Sequence, residues 1–340
     1  MAKNVIVGCS ASQLSLQEKS LFKELQPLGL ILFARNIENP GQVKSLIDDC
    51  KTAMGRDNLM VLIDQEGGRV SRLPKTHWRV PPSPTVFAKI YETKPDIAKR
   101  ACMLNALLTG IELKALGINV NCAPMLDIPQ DNASTIITER ALGKNPQQVS
   151  ELGRQISQGL KQAGVAPVIK HMPGHGRAIS DSHLELPVVD ASLDELNAWD
   201  FLPFSALAEE TMAMTAHIVF PQIDKHLPAT ISPAIVNKVM REIIGFKGLI
   251  MTDDINMHAL SGTIASRTEQ AINAGCDIAL HCSGNLDEMQ SLLDVASPLS
   301  ELALTRAIAA EKIAFSENPD AQNNIQEITN ELESLLANYT

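Results

Sequence analysis

The sequence predicts an α/β fold of the (β/α)8 barrel type for this chain of 340 residues. Eight short apolar segments alternate with longer amphipathic ones, which is typical of parallel strands separated by helices. Polar residues follow most of the apolar segments, as expected where the carboxyl ends of barrel strands meet at one face. A doubly wound open sheet is the alternative, but the Gly-x-Gly-x-x-Gly turn of dinucleotide-binding sheets is absent after the first strand.

The predicted strands are the eight apolar segments, at residues 5–7, 28–33, 59–63, 118–122, 167–170, 211–216, 248–251 and 277–280. The first helix ends at Leu25 and begins after Ser15, because Ser15 and Glu18 have the spacing of a capping box. The other helices have amphipathic patterns typical of surface helices. They are predicted at about 40–54, 97–116, 146–163, 203–209, 232–244 and 264–274.

The domain organisation is predicted to be simple. No repeat, low-complexity tract or long linker interrupts the pattern, so a single domain over residues 1–340 is expected. The barrel would occupy about residues 4–300, and C-terminal helices about 300–338 would form a tail with turns near Pro298 and Pro319. A polar, proline-rich connection at 75–84 is expected to be a loop.

The composition limits the possible classes of protein. With 45% hydrophobic and 20% charged residues the chain can bury a large core, and its net charge of -10 argues against a nucleic-acid or anionic membrane surface. The six cysteines form no C-x-x-C pair, which is typical of reduced thiols in the cytoplasm. The first apolar run is too short for a signal peptide, and no segment has the roughly 18 apolar residues of a membrane helix. A cytoplasmic location is expected.

The densest group of reactive side chains lies at residues 166–187. A short apolar strand ends at Lys170 and His171, a Gly/Pro-rich segment follows, and then come Asp181 and His183. A histidine with a pKa near its usual value of about 6.5 can donate and accept protons at working pH. A neighbouring carboxylate favours the protonated ring and orients it. His183 with Asp181 is therefore a candidate general acid and base.

A second reactive group, Asp253 and Asp254, follows the strand at 248–251. Side chains alternate along a strand, so only one of the two is expected to point into the barrel mouth. That carboxylate can act as a nucleophile or stabilise a cationic transition state, while the other suits a helix N-cap. A carboxylate on a strand end opposite a proton donor on a loop is the arrangement that retaining glycoside cleavage needs.

The segment KHMPGHGRAISDSH resembles the K-H-F-P-G-H-G…D-S-H motif of family 3 glycoside hydrolases, in particular the single-domain β-N-acetylhexosaminidases of the NagZ type. The resemblance extends over about residues 5–285 through LGLILFARNI, IDQEGGRVSRL, GINVNCAPMLDI, ITERALGKNP, MTAHIVFPQID and GLIMTDDINM. Two positions differ from the family pattern. Met172 replaces a usual phenylalanine, which is a tolerable apolar change. Arg177 adds a cation to the loop, where it can alter substrate preference.

The resemblance implies a role for each of these residues. Asp253 would be the catalytic nucleophile, and His183, paired with Asp181, would be the proton donor and acceptor. The sugar-binding positions of the family fall on Asp64, Arg72, Arg140, Lys170 and His171. Carboxylates accept hydrogen bonds from sugar hydroxyls, and cations donate to hydroxyls or to an acidic substituent. His175, His217 and Met257 would line or support the site. No cofactor or metal is expected.

The implied activity is hydrolysis of terminal, non-reducing, β-linked N-acetylglucosamine with retention of configuration. The implied biological role is peptidoglycan recycling, in which N-acetylglucosamine is split from 1,6-anhydro-N-acetylmuramic acid peptides. The expected partner is a small carbohydrate, with no nucleic acid and no membrane. The sequence leaves the oligomeric state open, with a monomer favoured.

Three alternatives stay open at this point. Within the same family, the enzyme could prefer chitooligosaccharides or transfer the sugar to phosphate instead of water. Alternatively, His171, His175, Asp181 and His183 carry nitrogen and oxygen ligands at spacings that suit a divalent metal in a hydrolase. A sugar-binding protein without turnover is the third possibility, although a binder needs neither a nucleophile nor a proton donor.

Overall fold

The computed structural model describes residues 1–130, 135–180, 185–318 and 323–339, without the side chain of Ile136. Within these residues, nine parallel strands form one sheet in the order β5-β4-β3-β2-β1-β9-β8-β7-β6. The strands are β1 Lys3–Gly8, β2 Pro27–Leu32, β3 Met60–Ile63, β4 Val120–Asn121, β5 Ala166–Pro167, β6 Ile169–Met172, β7 Met212–Thr215, β8 Leu249–Asp254 and β9 Ile278–His281.

Strands β5 and β6 are two halves of one barrel strand, interrupted at Val168. β5 pairs with β4, and β6 pairs with β7. The break is bridged by backbone hydrogen bonds from Val168 N to Asn121 O (3.0 Å) and from Lys170 N to Pro124 O (3.1 Å). The sheet is therefore a nearly closed barrel with eight strand positions, which confirms the (β/α)8 prediction.

Helices occupy most of the connections between the strands. The α-helices are Leu16–Leu25, Pro40–Met54, Pro84–Tyr91, Pro95–Ala115, Thr135–Thr138, Pro146–Gln162, Leu193–Ala198, Leu202–Ala206, Ile264–Ala274, Leu286–Ser291, Glu301–Ala314 and Ile325–Leu336. The short 3-10 helices are Ala34–Asn36 and Ala229–Ile231, and Ala234–Ile243 is a π-helix. The predicted capping box is present, since Ser15 Oγ accepts from Glu18 N at 3.1 Å and Glu18 Oε2 accepts from Ser15 N at 2.9 Å.

The helices differ from the sequence prediction most clearly before the predicted helix 97–116 and around the predicted helix 203–209. The helix Pro84–Tyr91 was not predicted, because the prolines around it indicate a loop; Ser83 caps it and Pro84 takes the first helical position, where proline is tolerated. The helix predicted at 203–209 is instead two short helices, Leu193–Ala198 and Leu202–Ala206. The prediction missed the first of these although Ser192 and Glu195 form a capping box.

The C-terminal helices pack against the barrel. Ala307, Ala310 and Ala314 of the helix Glu301–Ala314 join the apolar cluster inside the barrel, and Arg306 pairs with Asp277 at the start of β9. This helix therefore closes the amino-terminal end of the barrel. The helix Ile325–Leu336 buries Leu332 and Leu336 against the outer layer. We propose that barrel and tail form one domain, which these contacts support.

The cysteines form no disulfide bonds, and the helices among the described residues lack membrane-spanning length. All six cysteines are free thiols with buried side chains. Across the described part of the chain, every helix is too short or too polar to cross a bilayer.

Candidate functional site

A cavity of about 360 Å³ lies at the carboxyl ends of the barrel strands, on the face that the sequence predicted. Six of the eight residues predicted to bind sugar or to catalyse the reaction line this cavity. They are Asp64, Arg72, Arg140, Lys170, His171 and Asp253. Asp181 and His183 lie outside the described residues. The cavity therefore brings together side chains from loops and strand ends far apart in the sequence.

Lys170 is the centre of the charged network in this cavity. Its Nζ lies 2.8 Å from Asp64 Oδ1 and 2.6 Å from Glu66 Oε1, and its side chain is only 3% exposed. Arg72 donates to the second oxygen of Asp64 at 3.1 Å. Because Lys170 lies within the buried strand β6, solvation by bulk water cannot replace these partners, and the two carboxylates fix its position.

Glu66 is the main site residue that the sequence analysis missed. Arg140 holds it with two parallel hydrogen bonds, from Nε to Oε2 at 2.9 Å and from a terminal nitrogen to Oε1 at 2.7 Å. This bidentate geometry is specific to arginine and a carboxylate. A signal was present in the sequence, since Glu66 follows Asp64 by two residues and therefore points to the same side of an extended chain.

The network keeps its groups charged. Burial alone would raise the pKa of Asp64, but Lys170 and Arg72 outweigh it and hold that pKa well below its usual range. In the same way Arg140 and Lys170 hold the pKa of Glu66 at about 2 against the effect of burial. Burial disfavours the Lys170 ammonium, yet Asp64 and Glu66 raise its pKa above the usual range. The cavity thus presents fixed ionic donors and acceptors at neutral pH.

The low pKa of Glu66 predicts a loss of stability in acid. Glu66 binds a proton less readily in the folded chain than in the unfolded chain, where its pKa is near the ordinary value of 4.5. The stabilisation is present above that value and is lost as the pH falls through the folded pKa of about 2. Urea unfolding at several pH values in this range should show that the free energy of unfolding falls more steeply with decreasing pH in the wild type than in Glu66→Gln. Parallel pH profiles for the two proteins would contradict the prediction.

His171 is oriented by Asp127, the aspartate of the segment GINVNCAPMLDI. Asp127 Oδ2 lies 2.6 Å from His171 Nδ1, and Oδ1 accepts from the backbone N–H of His175 at 2.6 Å. Burial raises the pKa of Asp127, but His171 outweighs this and lowers it, so the carboxylate is ionised. Since a carboxylate only accepts, Nδ1 of His171 carries the proton. This fixes both the tautomer and the orientation of the ring.

Asp253 and Asp254 both line the cavity, although strand alternation predicted that only one of them would. The pairing of β8 with β9 is irregular between Met251 and Asp254, which interrupts the alternation. The two carboxylates nevertheless differ in their contacts. Asp254 Oδ1 accepts from the backbone N–H groups of Asn256 (3.1 Å) and Cys282 (3.0 Å). Asp254 is therefore used to join the ends of β8 and β9.

The backbone around Asp253 is held by His217, a residue expected to line or support the site. His217 is fully buried, and burial lowers its pKa, so its ring is neutral. Nε2 donates to the Asp254 carbonyl at 3.0 Å, and Nδ1 lies 2.6 Å from Thr230 Oγ1. Thr215 bonds Thr230 at 2.7 Å and accepts from Asp253 N at 3.4 Å. These contacts hold the carboxyl end of β8 against residues at the end of the neighbouring strand β7.

The chain on either side of residues 181–184, which lie outside the described residues, is anchored by backbone hydrogen bonds. Before them, Gln130 N donates to Gly176 O at 3.1 Å, and a Cβ on Gly176 would clash with the Ile128 backbone. After them, Val189 N donates to Val219 O at 2.9 Å. The chain is therefore fixed close to both ends of the segment that contains Asp181 and His183.

Arg177 does not act as a free cation on this loop. Its Nε lies 2.7 Å from Asp200 Oδ2, and the Asp200 side chain is only 3% exposed. The expectation that Arg177 alters substrate preference through an added charge is therefore not supported by its contacts. Arg177 instead joins the loop base to a buried carboxylate.

No group of three His, Cys, Asp or Glu side chains within residues 1–130, 135–180, 185–318 and 323–339 is arranged to hold a metal ion. The metal site considered from the sequence includes Asp181 and His183 and so lies partly outside these ranges.

Residues 5–314 match the model of the glycosyl hydrolase family 3 N-terminal domain. The chain belongs to glycosyl hydrolase family 3. The β-hexosaminidase of Methylobacillus flagellatus is 34% identical over 311 residues, which cover 88% of each chain. The β-hexosaminidase of Nitrosospira multiformis is 33% identical over 330 residues, covering 96% of this chain and 93% of its own. The predicted enzyme class, a glycoside hydrolase of the β-N-acetylhexosaminidase type, is confirmed.

Solved structures of family 3 enzymes agree with this assignment. NagZ from Neisseria gonorrhoeae, in complex with N-trifluoroacetyl-D-glucosamine, has a TM-score of 0.89 and 30% identity, covering 100% of this chain and 98% of its own. A family 3 β-N-acetylglucosaminidase from Paenibacillus has a TM-score of 0.79 and 30% identity, and the match covers 98% of this chain and 61% of that one.

Proposed function

We propose that this family 3 enzyme releases terminal, non-reducing, β-linked N-acetylglucosamine with retention of configuration. The supporting observation is the cavity that Asp253 shares with the network of Lys170, Asp64 and Glu66. Its cations are already paired with carboxylates, which suits the neutral hydroxyls of a sugar better than an anion. An ionised Asp64 can accept from hydroxyls, and Arg72 can donate to them.

The proposed reaction uses two covalent steps. Asp253 attacks the anomeric carbon while protonated His183, oriented by Asp181, donates a proton to the leaving oxygen. The glycosidic bond breaks and a glycosyl ester of Asp253 forms. Neutral His183 then removes a proton from water, which attacks the same carbon and releases the sugar and the Asp253 carboxylate. Two inversions at one carbon give retention of configuration.

The proposed sugar-binding residues are Asp64, Arg72, Arg140, Lys170 and His171. Lys170 and Arg140 are held by Glu66, so they can meet the sugar without reorganising. His171 presents a fixed tautomer because Asp127 holds its Nδ1 proton. These contacts support pre-formed recognition of one sugar ring.

The proposed biological substrate is a 1,6-anhydro-N-acetylmuramic acid peptide that carries N-acetylglucosamine, and the proposed role is peptidoglycan recycling in the cytoplasm. The similar NagZ structure binds an N-acylated glucosamine, which agrees with the sugar of this proposal. Chitooligosaccharides as substrates and phosphate as acceptor are the competing possibilities within the family.

Product analysis tests the proposal. Proton NMR of a reaction with an aryl β-N-acetylglucosaminide should show the β-anomer of N-acetylglucosamine first, with and without chelator. Added phosphate should yield no sugar phosphate. An initial α-product would exclude the two-step mechanism, and loss of activity with chelator would favour the metal hydrolase. The rates of release from an anhydromuramic acid disaccharide and from chitobiose separate the two candidate substrates.

His183→Ala provides a test of the proton donor. Removing a general acid should reduce kcat/KM by about 10²–10⁴-fold for a poor leaving group such as a sugar. A dinitrophenolate leaves without protonation, so bond cleavage in the dinitrophenyl glycoside should be much less affected. His175→Ala is the matched control within the same segment. An equal loss for both leaving groups in His183→Ala would contradict the assignment.

A further inference from the structure

We infer that Arg69 forms a binding site for a carboxylate on the aglycone, next to the sugar site, and that Glu139 occupies it in the absence of substrate. This inference rests on the proposed function and extends it from the sugar to its neighbour. Arg69 lines the same cavity as Asp253, and its terminal nitrogen lies 2.7 Å from Glu139 Oε2.

Arg69 differs from the other cations of the cavity in its depth. The side chains of the other three, Lys170, Arg140 and Arg72, are 3%, 11% and 29% exposed, whereas the Arg69 side chain is 45% exposed. Arg69 therefore stands at the rim, beyond the deep site that would hold the terminal sugar. A group attached to the leaving oxygen leaves the cavity through this rim.

Two ion pairs join the same two segments of the chain. Glu66 and Arg140 form the inner pair, which is buried and bidentate. Arg69 and Glu139, each close in sequence to one of these residues, form the outer pair, with both side chains about half exposed. The inner pair fixes the distance between the segments. The outer pair contributes little stability in water, so an incoming carboxylate can replace Glu139 at small cost.

The backbone that carries Arg69 is rigid. Gly67 and Val70 exchange backbone hydrogen bonds (3.1 and 3.3 Å), and Gly68 N donates to Pro81 O at 3.1 Å. Gly67 has a φ of 102°, and a Cβ there would clash with the Pro82 carbonyl. A fixed turn with an exposed guanidinium at its tip is suited to bind a charged group of the ligand. Guanidinium binds carboxylates through two parallel hydrogen bonds.

The chemistry of the site points to a specific class of ligand. Arg72, Arg140 and Lys170 are each paired with a buried carboxylate, so a ligand anion would have to displace a buried partner to reach them. At Arg69 it displaces only an exposed one. The aglycone is therefore expected to carry a carboxylate close to the glycosidic oxygen, as a lactyl-substituted amino sugar does when no peptide is attached to its lactyl group. Arg69 would then distinguish the peptide-free form of the proposed substrate from the peptide-bearing form.

Two substrates that differ by one charge provide the test. They are N-acetylglucosaminyl-β-1,4-N-acetylmuramic acid with its lactyl carboxyl free, and the same disaccharide as its lactyl methylamide. The measured quantity is the ratio of kcat/KM for the acid to that for the amide. Arg69→Gln should lower this ratio about tenfold, and Arg69→Lys should retain part of it. Glu139→Gln should not lower it, because the competing carboxylate is gone.

Arg100→Gln is the matched control. Arg100 forms an equally exposed pair with Glu331, and it does not line the cavity. Its substitution should leave the ratio unchanged. Calorimetric dissociation constants for the same two disaccharides give a second readout that is independent of cleavage. If the enzyme cleaves neither disaccharide nor an aryl glycoside, the proposed function fails. The ratio of the dissociation constants for the acid and the amide still tests the role of Arg69 in that case. An acid-to-amide ratio that is the same in Arg69→Gln and the wild type, in both readouts, overturns the inference.

Discussion

Asp253→Ala is expected to lower kcat by at least about 10⁴-fold, because the covalent intermediate cannot form without its nucleophile. Asp254→Asn is the matched control on the neighbouring residue. It retains the oxygen that accepts from Asn256 and Cys282, so activity within about tenfold of the wild type is expected. Release of chromophore from an aryl β-N-acetylglucosaminide measures both variants.

A small anion strengthens this test. Azide can enter the space left by the shortened side chain of Asp253→Ala and attack the anomeric carbon from the same side. The expected product is an α-glycosyl azide, formed by a single inversion. The assignment would be wrong if Asp254→Asn were the inactive variant and Asp253→Ala kept most of its turnover.

Lys170→Met is expected to have the largest effect on stability. Lys170 lies between Asp64 and Glu66, and removing it leaves two buried carboxylates with one cation fewer. Breaking a buried ion pair in this way costs about 3–5 kcal/mol in the free energy of unfolding. Urea denaturation measures that loss, and kcat/KM should fall with it because the proposed sugar contact is gone.

A double variant separates the two effects of Lys170. In Lys170→Met/Asp64→Asn one carboxylate that lost Lys170 is neutralised while the buried Arg140–Glu66 pair stays intact, so part of the stability should return while activity stays low. Arg100→Ala serves as the comparison, since its exposed pair with Glu331 is expected to contribute about 0–1 kcal/mol. If Lys170→Met were no less stable than Arg100→Ala, the network would not have the structural importance that its burial implies.

The local pattern of the sequence was sufficient for the strand positions and for the face that bears the site. The boundaries of the helices Pro40–Met54 and Ile264–Ala274 were predicted correctly, because caps and apolar periodicity are local signals. The interruption at Val168 was not predictable, since it depends on pairing with strands on either side. The helix Pro84–Tyr91 was missed because prolines favour both loops and helix starts.

For the site, too, some properties follow from the sequence and others only from the tertiary structure. The sequence by itself determined the family, and it predicted which residues act as nucleophile, acid and sugar ligands, since residue types and spacings are visible in it. Only the tertiary structure decided the pairing: Lys170 meets Asp64 across 106 positions, and Arg140 meets Glu66 across 74. Ion pairs at such separations arise from barrel closure, which brings strand ends together by backbone hydrogen bonding. A local pattern of residues does not indicate which side chains become neighbours when the barrel closes.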